Sequence, residues 1–217
     1  VTGDLFAALP REPDIESITE GATLLRAFVS DEEAAALVAA IDTVLAHSPL
    51  RNMQTPGGFR MSVAMSNCGQ FGWVTDRRGY RYQTLDPLTG QHWPDMPAAF
   101  VALAQRAAAA GGFAPFLPDA CLVNRYDPGA RMSLHQDRNE EDMQQPIVSV
   151  SLGLPATFLF GGMERSDKPQ RMRLESGDVV VWGGPARLAF HGVDVLRDGE
   201  HPLTGRCRYN LTFRRAR

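Results

Sequence analysis

Cysteine, long apolar runs and excess positive charge are all scarce in this sequence. Its three cysteines, Cys68, Cys121 and Cys207, form an odd set without C-x-x-C spacing. Neither a disulfide framework nor a structural zinc site is therefore indicated, and a reduced, cytoplasmic setting is the simplest expectation. No run of about 18 apolar residues occurs, which excludes a transmembrane helix on length. The opening VTGDLFAALPREPD lacks a basic stretch leading into a long apolar one, so no secretory signal is expected. The chain starts on Val rather than Met, so a trimmed N-terminus is expected. A formal net charge of -3 argues against a protein that coats nucleic acid nonspecifically, because that needs broad phosphate neutralisation. A local basic patch is still allowed. No internal repeat or low-complexity tract is visible.

What is present can bury a full core. At 217 residues and 44% hydrophobic content the chain reads as one domain, with room for an appended lid. Thr23 to Phe28 reads as a short strand, and Ser30-Asp31-Glu32-Glu33 is a capping box that opens a helix. Ala34, Leu37, Val38, Ile41 and Leu45 give that helix one apolar face for packing on a sheet. A second scaffold helix is expected over Asp95 to Ala110, opened by Pro97 and closed by Gly111-Gly112. From Ala120 the period becomes two. Short strands are expected at Leu122 to Tyr126, Met132 to Asp137, Ile147 to Leu154, Thr157 to Phe160, Arg171 to Leu174, Val179 to Trp182 and Arg208 to Phe213. Many short strands with Gly and Pro turns suggest a jelly roll or barrel.

The stretch NRYDPGARMSLHQD, Asn124 to Asp137, carries a metal-ligand spacing. His135 and Asp137 are one residue apart, so on an extended strand their side chains leave the same face. His191, shortly after the run ending Trp182-Gly183-Gly184, supplies a third ligand. Two histidines and one carboxylate with open coordination positions form the facial triad of non-haem Fe(II) oxygenases; the same set could hold zinc. A bare H-x-D recurs by chance, so its companions matter.

In Arg208-Tyr209-Asn210-Leu211-Thr212-Phe213-Arg214, polar residues occupy every second position. Arg208 and Arg214 would lie roughly 20 Å apart along an extended strand, and side chains bending together could grip both ends of a short diacid. Guanidinium suits that task because its planar fork pairs with carboxylate through two parallel hydrogen bonds. Asn124 and Tyr126 could add donors from a neighbouring strand. The plainer alternative is an edge strand with a wet polar face, most applicable to Arg214 beside the C-terminus. A dicarboxylate beside this metal site points to 2-oxoglutarate.

With these residues the sequence resembles the AlkB family of alkylation-repair dioxygenases. The likeness extends to T-P-G-G-F and M-S-V-A-M-S-N-C-G near Thr55 to Gly69, P-D-A-C-L-V-N-R-Y at 118 to 126, and G-D-V-V-V-W-G-G at 177 to 184. It implies an α+β, mainly β fold: a double-stranded β-helix (jelly roll) over 115–217, flanking helices, and a nucleotide-recognition lid over 50–90, all within one catalytic domain spanning 1–217. It implies Fe(II) on His135, Asp137 and His191, and 2-oxoglutarate on Arg208, Arg214, Asn124, Tyr126 and Asn210. O2 and iron would hydroxylate an N-linked methyl group of a damaged base, 2-oxoglutarate would become succinate and carbon dioxide, and the methyl group would leave as formaldehyde. The expected partner is alkylated DNA, preferably single-stranded, with RNA a further possibility, acted on by a monomer without membrane contact.

Met61 to Tyr82 interleaves Met65, Phe71, Trp73, Arg77, Arg78, Tyr80, Arg81 and Tyr82, a composition suited to a flipped-out base and its phosphates. Trp73 is the candidate platform, since an indole face gains a cation–π attraction for N1-methyladenine and N3-methylcytosine, which are positively charged. The resemblance likewise puts Trp73 and His135 on the two sides of the base, with Tyr80 and Arg165 near it. Trp73 and Phe71 could instead be core residues, and the arginines merely solvated; their grouping favours phosphate contacts. Asn139 stands where the family pattern usually has a second acid before Glu140. Asn accepts more weakly than a carboxylate and can donate, which opens the question of base preference. Two competing readings are an RNA demethylase or other 2-oxoglutarate hydroxylase, and a non-catalytic nucleic-acid-binding β-sandwich.

Overall fold

The computed structural model describes residues 11–217, so the opening stretch read for signal-peptide character lies mostly outside the described residues. The elements run β1 (Asp14–Thr19), β2 (Ala22–Arg26), α1 (Asp31–His47), β3 (Ala64–Gly69), β4 (Gly72–Asp76), β5 (Gly79–Gln83), α2 (Ala98–Ala110), β6 (Ala120–Tyr126), β7 (Met132–His135), β8 (Ile147–Gly153), β9 (Ala156–Phe160), β10 (Gln170–Leu174), β11 (Val179–Trp182), β12 (His191–Val193) and β13 (Arg208–Arg214). A seven-stranded sheet in the order β1-β2-β11-β8-β13-β6-β3 faces a four-stranded sheet in the order β10-β9-β12-β7, and β4-β5 stands apart as a hairpin. Every strand pairing is antiparallel. This is a mainly β jelly roll with two helices laid outside it.

Strand β13 shows why the layers form. It lies between β8 and β6, and all of its residues are buried. Tyr209, Leu211 and Phe213 face outward into an apolar cluster with Leu37 and Ile41 of α1 and Phe100, Leu103 and Ala107 of α2. Phe100 meets Phe213 edge-on at 5.9 Å. Arg208, Asn210, Thr212 and Arg214 alternate with them and face the interior between the sheets, as a period of two requires. The wet-edge alternative is thereby excluded. The second apolar cluster, with Leu122, Ile147, Phe158, Phe160, Val180 and Trp182, fills the interior around this polar stripe.

Several boundaries differ from those read in the sequence, each for a local reason. β2 stops at Arg26 because Ala27 takes φ 46° and Val29 donates to Gly177 O instead of continuing the strand. Ser30 caps α1 as expected, accepting from Glu33 N at 3.2 Å. α2 starts at Ala98, because Pro97 is held extended at ψ 140°. β3 was not expected as a strand, since its central residues are buried on both faces and show no alternation. Among the described residues, no helix is long and apolar enough to cross a membrane.

Candidate active site

His135 ends β7 and His191 begins β12, and the two are directly opposed across the ladder, with ring centroids 4.4 Å apart. Between His191 and Val193 the register slips, so that two steps on β12 span three on β7. This bulge turns both Met132 and His135 toward the same cavity, which regular alternation would forbid. Gly192 permits it: a Cβ there would stand 2.6 Å from Met132 O. The strand was expected to carry Asp137 as well, but β7 ends at His135. Asp137 reaches the histidines from the irregular segment beyond, pinned by Arg187 Nη1 donating to its backbone carbonyl at 2.7 Å.

The histidine nitrogens are sorted by their partners. Nδ1 of His135 lies 2.9 Å from Ser133 O and Nδ1 of His191 lies 3.0 Å from Ala189 O. Each Nδ1 therefore carries the hydrogen and each Nε2 keeps its lone pair. The Nε2 atoms stand 3.7 Å and 3.8 Å from the Asp137 carboxylate, and the three donor atoms lie within 4.8 Å of one another. Burial, helped by His135 nearby, pushes His191 down to about 3, so it is neutral and free to ligate near pH 7. Burial opposes ionisation of Asp137, but Arg214 and the two histidines outweigh it and hold the carboxyl well below the usual range. Two imidazoles that face one another with their Nε2 atoms toward one carboxylate fit a divalent first-row metal with positions left open.

Behind the triad is a cavity of about 50 Å³ lined by Asn124, Tyr126, His135, His191, Arg208 and Arg214, among others, several times the ~10–15 Å³ that one water needs. Arg208 is 1% exposed and donates from Nη2 to Ser151 Oγ at 3.0 Å, yet its Nε and Nη1 have no partner. Burial lowers its pKa to about 10, so it stays cationic. A buried cation with unpartnered donors is costly unless an anion fills the space beside it. Tyr126 sits 6.0 Å from that guanidinium and stays protonated, with burial pushing its phenol up to about 12. The other members of the expected set are partly committed elsewhere. Arg214 spends Nε and Nη2 on Asp137 Oδ2 at 2.8 and 2.6 Å. Asn210 donates to Ser149 Oγ and Val150 O. Asn124 presents an unpartnered Oδ1, which needs a bridging water or the opposite amide orientation to meet a carboxylate.

In front of the triad opens a cleft of about 890 Å³, which shares His135 and Arg214 with the inner cavity. Trp73 stacks on Tyr80 with centroids 5.6 Å apart and planes 18° off parallel, and its Nε1 donates to Asn139 Oδ1 at 3.1 Å. Met65 is fully buried at the wall of this cleft. Arg165 lines it too, with its guanidinium 5.3 Å from the Phe190 ring. Phe71 is elsewhere, in a small cluster with Tyr82. Of the arginines grouped in the sequence, Arg78 and Arg81 both pair with Asp76, and none of Arg77, Arg78 and Arg81 lines the cleft. Exposed Arg60, Arg131, Arg138 and Arg165 line the cleft instead, without an acidic partner among the described residues.

Sequence reasoning missed a buried chain of contacts under this cleft. Tyr82 of β5 donates to Glu140 Oε1 at 2.5 Å, and Arg187 donates from Nη2 to Glu140 Oε2 at 3.0 Å while its Nη1 holds the Asp137 carbonyl. Nothing in the spacing of Tyr82, Glu140 and Arg187 announces the link. Phe59, 77% exposed at the cleft rim, was quoted in a motif but given no role.

A model of the 2OG-Fe(II) oxygenase superfamily matches residues 21–214. The chain is also 56% identical over 213 residues to the alpha-ketoglutarate-dependent dioxygenase AlkB of Escherichia coli, covering 98% of this chain and 97% of that one. The chain belongs to the AlkB family. The AlkB homolog of Caulobacter vibrioides is 49% identical over 183 residues, 84% of this chain and 81% of its own. Among solved structures, that of OsALKBH1 superposes with a TM-score of 0.83 at 29% identity, covering 93% of this chain and all of that one. An AlkB-family chain is an Fe(II)- and 2-oxoglutarate-dependent dioxygenase, and O2 is its other substrate.

Proposed function

We propose that this protein repairs nucleic acid by oxidative demethylation of N-alkylated bases, N1-methyladenine and N3-methylcytosine among them. It acts as a cytoplasmic monomer, with single-stranded DNA as its preferred substrate. The observation that carries this reading is the position of the triad at the junction of two spaces: an inner cavity with a cation whose spare donors face it, and an aromatic, arginine-rimmed cleft. A dioxygenase needs both, one for its co-substrate and one for the group to be oxidised.

His135, Asp137 and His191 are the metal ligands. Arg208 pairs with a carboxylate of 2-oxoglutarate through its spare donors, and Tyr126 and Asn124 complete that wall. Arg214 holds Asp137 in place and Asn210 braces Asn124 through its side-chain oxygen. Residues 50–90 supply the lid: Trp73 and Tyr80 give the flipped base a flat surface, Met65 backs it, and Asn139 and Arg165 edge it. The chemistry that Fe(II), 2-oxoglutarate and O2 supply when bound is hydroxylation of the N-methyl group, coupled to decarboxylation of the co-substrate. Taking the base out of its stack and holding it beside the triad is the chain's own contribution, since a ring nitrogen is unreachable inside a duplex.

Iron-loaded protein given 2-oxoglutarate and a single-stranded oligonucleotide with one N1-methyladenine should release formaldehyde in step with demethylation. Asp137→Ala should abolish both while sparing oligonucleotide binding. Turnover that survives Asp137→Ala would sink the proposal, and matched double-stranded DNA and RNA oligonucleotides rank the substrates.

A further inference from the structure

Four buried charged side chains meet beside the triad: the carboxyl groups of Asp137 and Glu140 and the guanidinium groups of Arg187 and Arg214, none more than 10% exposed. Arg187 follows the short turn Gly184–Ala186, and its nitrogens all reach one stretch, the connection from β7 to β8. Nε donates to Gln145 O at 2.9 Å, Nη1 to Asp137 O at 2.7 Å and Nη2 to Glu140 Oε2 at 3.0 Å. The connection answers through Gln136, whose Nε2 donates to Leu188 O at 2.6 Å. One residue further, Ala189 O holds Nδ1 of His191. Arg187 therefore stands where the segment that carries Asp137 meets the segment that leads to His191.

The two acids compete for Arg214. Its Nε and Nη2 go to Asp137 Oδ2, which leaves Oδ1, 3.7 Å from His135 Nε2, as the oxygen open to a metal. Yet the same Nε is only 3.6 Å from Glu140 Oε1, so a small turn would carry the guanidinium from one acid to the other. A buried carboxylate without a cationic partner is costly, and Tyr82 offers Glu140 only one neutral hydrogen bond. Arg187 ends the competition by taking Glu140 for itself. Were Arg214 drawn away, the Asp137 carboxyl would be free to rotate, because its terminal torsion has no sharp preference.

We propose that Arg187 is a positioning residue for the metal site: by pairing with Glu140 it keeps Arg214 on Asp137 Oδ2 and so holds Oδ1 toward the histidines. This rests on the reading of His135, Asp137 and His191 as metal ligands. Arg187 lines neither the inner cavity nor the outer cleft, and it acts through Glu140 and Arg214.

Metal-free protein titrated with Co(II), without 2-oxoglutarate, reports on the site through the visible absorption of the bound ion and needs no turnover. Arg187→Gln strands the Glu140 carboxylate and should weaken Co(II) binding about tenfold or more. Adding Glu140→Gln removes the competitor for Arg214 and should bring binding back to within about threefold of the unaltered protein. Loss of the contact to Asp137 O alone would not be repaired in this way, since Glu140→Gln restores nothing to that carbonyl. Arg187→Lys keeps a charge beside Glu140 and carries the test should Arg187→Gln not fold; it too should bind within about threefold. Binding by Arg187→Gln within about threefold of the unaltered protein, or weaker binding than that by the double or the Lys variant, overturns this inference and leaves the ligand reading standing. Co(II) binding that is absent from the unaltered protein, or that Asp137→Ala leaves unchanged, overturns both.

Discussion

Arg208 is a charge placed in the interior before its partner arrives. Its Nε and Nη1 have no protein partner, and a buried donor left unmatched costs about 1–3 kcal/mol. Arg208→Met fills similar volume without that penalty. It should leave the thermal midpoint of the co-substrate-free protein at or above that of the parent, while the rise in midpoint on adding 2-oxoglutarate disappears. A fall of several degrees in the co-substrate-free protein would show that Arg208 is structurally satisfied and that its spare donors carry no such cost. At this scale the sequence was unusually open. The alternation from Arg208 to Arg214 survives because the two faces of β13 meet different surroundings, helices outside and cavity inside. What stayed hidden was the division of labour: Arg214 lines the inner cavity yet spends Nε and Nη2 on Asp137, and strand spacing carries no information about who neutralises whom.

Among the elements, the β4-β5 hairpin has little support from the sheets, and side chains fasten it. Asn67 bonds both the N–H and the carbonyl of Trp73, and Tyr82 reaches Glu140, which Arg187 ties to the carbonyl of Asp137. Tyr82→Phe should cost about 1–3 kcal/mol in chemical denaturation, because it strips a donor from a buried carboxylate. Amide hydrogen exchange of 72–83 should quicken more than that of β8 or β13. Exchange unchanged in the hairpin would mean that Tyr82 is not its anchor. The capped start of α1 was legible because a capping box is local, written within four consecutive residues. The end of β7 was not, because Asp137 leaves the ladder through contacts with Arg187 and Arg214, both far along the chain. The three candidate ligands thus converge, but by a route other than the strand geometry expected, which only His135 obeys.

For the molecule as a whole, a net charge of -3 coexists with a cleft edged by Arg60, Arg131, Arg138 and Arg165. Attraction for a phosphate chain is therefore confined to one face, and it should show as salt dependence. On single-stranded DNA each arginine that displaces a counterion contributes about 0.7 to the slope of log affinity against log salt. Arg131→Gln and Arg138→Gln together should flatten the slope by roughly 1.4, whereas Arg78→Gln, already engaged by Asp76, should leave it nearly unaltered. Equal slopes for all three proteins would place the strand on a different surface. Composition showed only that such a patch was allowed; which arginines form it depended on where Asp76 fell.

The position of β7 at the margin of the small sheet, with β12 as its one ladder neighbour among the described residues, gives the triad a weak corner. His191 is seated between β9 and β7 through β12, and Asp137 is clasped by two guanidinium groups, but His135 rides on four residues open along one side. Were that margin to fray, the half-exposed imidazole of His135 would leave the cluster while His191 and Asp137 stayed seated, which would make His135 the side from which an ion held there would enter or leave.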